Sequence, residues 1–139
     1  MEDTLKYYLA ASWSRREEMV KIAERLASHG VEICSDWIFG KPAPMVAKEK
    51  FLEHWAMQDL EQVRGASAII RFTDDLTPIR VPSHLATGAR FFEMGVAYQM
   101  GKPVYVVGGN QCIFDRLPNV THLKNVNALV RKLSLEEIH

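Results

Sequence analysis

The sequence predicts a doubly wound α/β fold, flavodoxin- or Rossmann-like, with a mostly parallel sheet of about five strands and helices on both faces. Three observations carry this expectation. Short apolar runs alternate with longer segments of helical periodicity along the 139-residue chain. A strand, helix, strand succession in this rhythm implies right-handed crossovers between parallel strands. No repeat, low-complexity tract or interdomain linker interrupts the pattern, so residues 1–139 are expected to form a single domain.

Each element has its own signal. LKYYLAA (5–11) is short, aromatic and apolar, as a buried first strand should be. In the following SWSRREEMVKIAERLASHG, Ser14 and Glu17 have capping-box spacing, Met19, Ile22, Ala23 and Leu26 recur at helical spacing, and Gly30 ends the helix. VEICSD (31–36) is the second strand. WIFGKPAP reads as a loop from its Gly and Pro, and MVAKEKFLEHWAMQDLEQVRGA as a long second helix. SAIIRFTDD (67–75) is the third strand, LTPIRVPSHLATG a second long loop, ARFFEMGVAYQMG a helix, and KPVYVVGG (102–109) the fourth strand. NVTHLKN supplies a short fifth strand and VNALVRKLSLEEI a closing helix.

Composition narrows the setting. With 47% hydrophobic and 24% charged residues, the chain has the balance of an ordinary globular protein and needs no disulfide staples. Cys34 and Cys112 lack CxxC or metal-ligand spacing and read as idle thiols. No apolar run approaches the roughly 18 residues of a membrane span, and the N-terminal residues lack the uninterrupted apolar stretch of a signal peptide, so a cytosolic protein without membrane association is expected. Lys plus Arg and Asp plus Glu are both 17, a net charge of zero that argues against polymeric nucleic acid as a partner. A small anionic ligand needs only a few local cations or a helix N-terminus.

In doubly wound folds ligands sit outside the carboxyl ends of the strands, where strand order reverses. Three features fall there. In YYLAASWSRR, Ser12, Ser14, Arg15 and Arg16 bring hydroxyls and guanidinium groups to a helix start, a combination suited to phosphate, although a serine that only caps the helix fits the same pattern. Asp59 interrupts the apolar stripe of Leu52, Trp55, Ala56 and Val63 on the second helix, or lies at its margin. Glu93 is a lone carboxylate among Phe91, Phe92, Met94, Val96, Ala97 and Met100. A carboxylate taken out of water must be paired or hydrogen-bonded, so Glu93 either has a structural partner or performs chemistry.

YYLAAS, MQDL ahead of GASAIIRFTDD, and TGARFFEMGVAYQMGKPVYVVG together resemble the nucleoside 2-deoxyribosyltransferase superfamily, closest in pattern to the 2'-deoxynucleoside 5'-phosphate N-hydrolases. The resemblance runs from about residue 6 to residue 110. It implies that Glu93 is the nucleophile at the anomeric carbon, that Asp59 protonates the leaving base, and that Tyr8 orients the nucleophile. It implies a cytoplasmic enzyme without cofactor or metal, acting on a small nucleotide or nucleoside and assembling as a homodimer or higher homo-oligomer.

The resemblance also bears on the acceptor. Six residues before the nucleophile, transferases of this kind tend to carry aspartate and the nucleotide hydrolases serine; here Thr87 supplies a hydroxyl. With Ser12, Ser14, Arg15 and Arg16 opposite, and Gly88 in the following turn, this favours a nucleoside monophosphate. Arg90 replaces a frequent glycine and either meets the phosphate or is an exposed arginine of the helix's first turn. Trp37 and Phe39 offer flat faces for a base, or anchor their loop. A base-exchanging transferase and a non-catalytic nucleotide-binding module are the alternatives. A flavodoxin-like receiver or flavin carrier is disfavoured by the lack of an acidic cluster beside a strand-end phosphoacceptor.

Overall fold

The computed structural model describes residues 5–39, 49–73 and 88–138. Five strands follow one another as β1 (Lys6–Ala10), β2 (Glu32–Ile33), β3 (Ala68–Phe72), β4 (Val104–Val107) and β5 (Val120–Leu123). The helices are α1 (Arg16–Ala27), α2 (Glu49–Gly65), α3 (Ala89–Gln99) and α4 (Val126–Ile138). Among the described residues the strands form one sheet in the order β2-β1-β3-β4-β5, every pairing parallel. The expected doubly wound fold and its five strands are borne out. Strand order reverses between β1 and β3, where Tyr8 lies opposite Ile69 and Ala10 opposite Arg71.

Parallel strands covered on both faces are largely apolar, and β3 and β4 are buried at every position, Arg71 of β3 included. α1 packs with α4 on one face and α2 with α3 on the other. Met19, Ile22, Ala23 and Leu26 form the buried stripe of α1, as their spacing predicts, and Gly30, with φ +83°, turns the chain out of the helix. Gly101, with φ +78°, plays that part after α3. The next residue, Lys102, sends its ammonium to the end of α2, donating to the carbonyls of Val63 (3.0 Å), Ala66 (2.6 Å) and Arg64. A cation there meets the negative end of the helix dipole and satisfies carbonyls that the last turn leaves open.

Three local expectations change. The Ser14 and Glu17 capping box does not form, because a single 3-10 turn, Trp13–Arg15, occupies those positions; α1 starts at Arg16 and no side chain caps Arg15 at its N-cap. On α2, Val63 is buried but Ala56 is exposed, so Asp59 lies at the margin of the buried stripe and is partly buried. The second strand shrinks from the expected 31–36 to two residues. Beyond Cys34, whose amide still donates to the Tyr7 carbonyl (2.9 Å), side chains replace its ladder: the Leu9 amide donates to Ser35 Oγ (3.1 Å), and Trp37 Nε1 donates to the Leu9 carbonyl (2.7 Å). Asp36 in turn accepts from Gln62 Nε2 on α2 (2.8 Å), which ties this loop to the helix.

Trp37, 7% exposed, therefore serves as a loop anchor. Trp37→Phe removes the partner of a buried carbonyl, which costs about 1–3 kcal/mol. The expected result is a lower thermal midpoint in calorimetry; an unchanged midpoint would show that the indole N–H contributes nothing to the fold.

Candidate active site

Side chains alternate across a strand, and the β1/β3 register puts Tyr8, Ala10, Ile69 and Arg71 on one face. Arg71 touches Met94, so this is the face that α3 covers. Tyr8 is fully buried in the middle of β1, not at the strand end. From there its hydroxyl donates a hydrogen bond to Glu93 Oε2 on α3. Asp59, partly buried on α2, is close enough for its charge to act on both Tyr8 and Glu93. Three residues far apart in sequence thus converge, one from each of β1, α2 and α3.

Burial is the main influence on Glu93. It raises the carboxyl from its ordinary 4.5 to about 8, against the Tyr8 hydrogen bond, which favours the anion, and with the Asp59 charge, which opposes it. Burial likewise pushes the Tyr8 phenol well above its usual value, so the phenol remains a donor throughout the working pH range. The site holds a carboxyl whose ionisation is poised near neutrality, a fixed donor at one of its oxygens, and a second carboxyl nearby.

The turn after β1 carries the serines and arginines that the sequence singles out. Ser12 is buried at its start. Arg15 donates through Nη1 to the Thr73 carbonyl at the end of β3 (2.8 Å) and through Nε to Glu18 (2.7 Å). It therefore ties the two strands together across the reversal point. The Arg16 guanidinium lies 4.5 Å from the centre of the Trp13 ring. Ser14 lies within the 3-10 turn. Gly88 opens α3, its carbonyl accepting from the Phe91 and Phe92 amides (3.0 and 3.1 Å). Thr87 lies outside the described residues. Arg90 is not the exposed arginine of a first turn: it is 7% exposed, with its guanidinium 4.5 Å from the Phe91 ring centre.

Sequence reasoning missed Arg71 and Asp115. Both are fully buried and joined by two hydrogen bonds, Nη1 to Oδ1 (2.6 Å) and Nη2 to Oδ2 (2.7 Å). Asp115 Oδ2 also accepts from the Gln111 amide (2.7 Å), and these partners hold its carboxyl at about 2 although burial acts the other way. The signal was present. A lone cation in SAIIRF, within a strand buried on both faces, requires a partner by the same reasoning that singles out Glu93.

No family model and no curated protein matches the chain. Solved structures do. A 2-deoxyribosyltransferase from the psychrotolerant bacterium Bacillus psychrosaccharolyticus superposes with a TM-score of 0.67 at 17% identity, covering 90% of each chain. The CMP N-glycosidase BcmB of Clostridium botulinum gives 0.61 at 17% identity, over 94% of this chain and 98% of its own. A conserved protein of Enterococcus faecalis V583 gives 0.63 at 15% identity, over 96% and 99%. These likenesses show that the chain shares the doubly wound fold of those structures. At such identities the likeness concerns the path of the chain, and the side chains must be argued from their own geometry.

Two titrations test that geometry. Tyr8→Phe removes the bond that favours the anion, so the Glu93 carboxyl should titrate above about 8; Asp59→Asn removes the opposing charge and should move it down. Carbon-13 NMR of labelled glutamate reads both, and shifts in one common direction would contradict the arrangement. Stability follows from the same shift. A carboxyl raised from 4.5 to about 8 contributes stability that is full below 4.5 and is lost as pH rises through 8. Glu93→Gln has no such loss, so its thermal midpoint should gain on the parent between those pH values and hold that gain above them. A constant difference across this window would mean that Glu93 is not desolvated.

Proposed function

We propose that this protein is an enzyme of the nucleoside 2-deoxyribosyltransferase superfamily that cleaves the base–sugar bond of a nucleoside 5'-monophosphate, in first place a deoxynucleotide. The observation that carries the reading is the hydrogen bond from Tyr8 to Glu93, on which the charge of Asp59 also acts. Breaking an N-glycosidic bond builds positive charge on the sugar, and a desolvated carboxylate held beneath the ring is a strong stabiliser of that charge. Glu93 attacks the anomeric carbon, the electron pair of the C–N bond leaves with the base, and the proton goes to the base from Asp59. Water then adds its hydroxyl to the anomeric carbon as the glycosyl ester breaks, its proton returning to the Asp59 carboxylate, and sugar phosphate and the free Glu93 carboxylate are released.

The poised carboxyl suits this sequence. The attack needs the Glu93 anion, and in this reading the proton for the base comes from Asp59. The Tyr8 donor favours that distribution. In the turn after β1, the helix start after the 3-10 turn and Arg16 on the Trp13 face support a phosphate position, while Arg15 holds the turn to the end of β3. The burial of Trp37 removes it from base stacking in this reading and leaves Phe39, which is exposed, as the aromatic of that loop. An association of several chains follows from the family reading.

The test is release of free base from a panel of nucleotides and nucleosides, followed by chromatography. Base is expected from a 5'-monophosphate without added metal, redox cofactor or acceptor base. Release that requires an acceptor and prefers unphosphorylated nucleosides would make the protein a transferase, and none at all would make it a binding module. Glu93→Ala should lower turnover at least about a hundredfold while nucleotide binding persists. Asp59→Asn should cripple natural nucleotides but spare a phenolic glycoside phosphate, whose leaving group needs no proton; equal damage to both would assign Asp59 to positioning.

A further inference from the structure

The Arg71 and Asp115 pair is the largest polar feature of the interior that the proposed chemistry does not use. It sits on the face of β3 that also carries the Tyr8 rung, two residues along from Ile69. Its contacts are directed at α3. Arg71 Nη1 lies 3.5 Å from Met94 Sδ, and the guanidinium lies 4.8 Å from the Phe91 ring centre. Arg90 takes the same ring at 4.5 Å, so both guanidinium groups bear on Phe91. Phe91 and Met94 are three apart and share one side of the helix, and Glu93 lies between them in sequence.

Asp115 is itself fixed. It belongs to the 3-10 turn Ile113–Arg116, accepts from the Gln111 and Cys112 amides (2.7 and 3.3 Å), and its own carbonyl meets His122 Nε2 on β5 (2.6 Å). The chain of contacts therefore runs from β5 through Asp115 and Arg71 to the first turns of α3. A bidentate guanidinium–carboxylate pair is planar and directional, so it defines the height and rotation of whatever rests on it. Each residue of an α-helix advances 1.5 Å and 100°. A small roll of α3 thus carries the Glu93 carboxyl away from a Tyr8 hydroxyl that the buried strand holds still.

We propose that Arg71 and Asp115 are positioning residues for Glu93: the pair acts through Phe91 and Met94 to set α3 at the rotation where Glu93 meets Tyr8. Its consequence for catalysis rests on the proposed function; its consequence for the carboxyl does not. A buried pair can often be exchanged for apolar residues of similar volume without loss of stability, whereas removing one partner leaves a buried charge. The informative variant is therefore the double substitution Arg71→Met with Asp115→Leu, which leaves the net charge unchanged. Phe91→Leu serves as the second variant, because it keeps the ion pair and removes only the ring between the guanidinium groups.

The experiment follows the Glu93 titration by carbon-13 NMR, with Glu93→Gln for assignment, together with turnover of the best 5'-monophosphate. In the double variant, folded by circular dichroism, the Glu93 carboxyl should titrate at least about half a unit higher, since Tyr8 no longer favours the anion. Turnover should fall about tenfold or more with KM within about threefold, and its acid limb should move with the titration. Phe91→Leu should do the same to a smaller extent, and it decides the matter if the double variant does not fold. An unmoved or lowered titration would overturn the proposal, whatever the turnover. A raised titration in a protein whose parent releases no base would sustain the positioning role and sink the enzymatic reading.

Discussion

A sheet that is parallel throughout and covered on both faces leaves no water beside its central strands, and this constraint governs every polar side chain that points into it. Two do so on the face beneath α3, Tyr8 and Arg71, and each has a carboxyl from a separate element as its partner. The two pairs resolve the same problem in opposite ways. Arg71 and Asp115 carry compensating charges with both oxygens and two guanidinium nitrogens engaged, so the acid stays ionised far below neutrality. Tyr8 is a neutral donor, so the charge on Glu93 has one hydrogen bond to set against its burial, and ionisation is delayed to about 8.

That contrast separates a structural polar group from a reactive one. A carboxyl saturated by strong partners gains little from approaching a developing cation, because its charge is already neutralised. A carboxyl held with one donor, a second acid nearby and little solvent has much to gain, and its proton is ready to be displaced. The surroundings of Glu93 are of the second kind. The Arg71 and Asp115 pair is of the first kind.

The same economy appears at the strand ends. β2 is only two residues long, and the Ser35 and Trp37 side chains complete the bonds of Leu9 in its place. Arg15 spans the reversal point to the end of β3, and Lys102 closes the end of α2, the helix that brings Asp59 to the site. Close backbone approach adds to this: a side chain at Gly108, with φ +111°, would meet Thr73 Cβ at 2.8 Å, so the chain ends of β3 and β4 lie close together. Side chains at loops and caps thereby hold the three elements that carry Tyr8, Asp59 and Glu93.

The sequence by itself determined the order of strands and helices, the buried stripe of α1, and the oddity of a carboxylate in ARFFEMGVAYQMG, because periodicity and the cost of burying charge are properties of short stretches. A resemblance then linked Tyr8, Asp59 and Glu93, and the fold brings those three together. Other features were beyond local reading. The 3-10 turn that displaces the capping box, the indole that stands in for a strand, the burial of Arg90 and the Arg71 to Asp115 pair, 44 residues apart in the chain, all depend on partners from distant segments. Whether a charged side chain ends in water or in a bidentate pair is decided only when the sheet closes, since the desolvation that makes the pairing necessary does not exist until then.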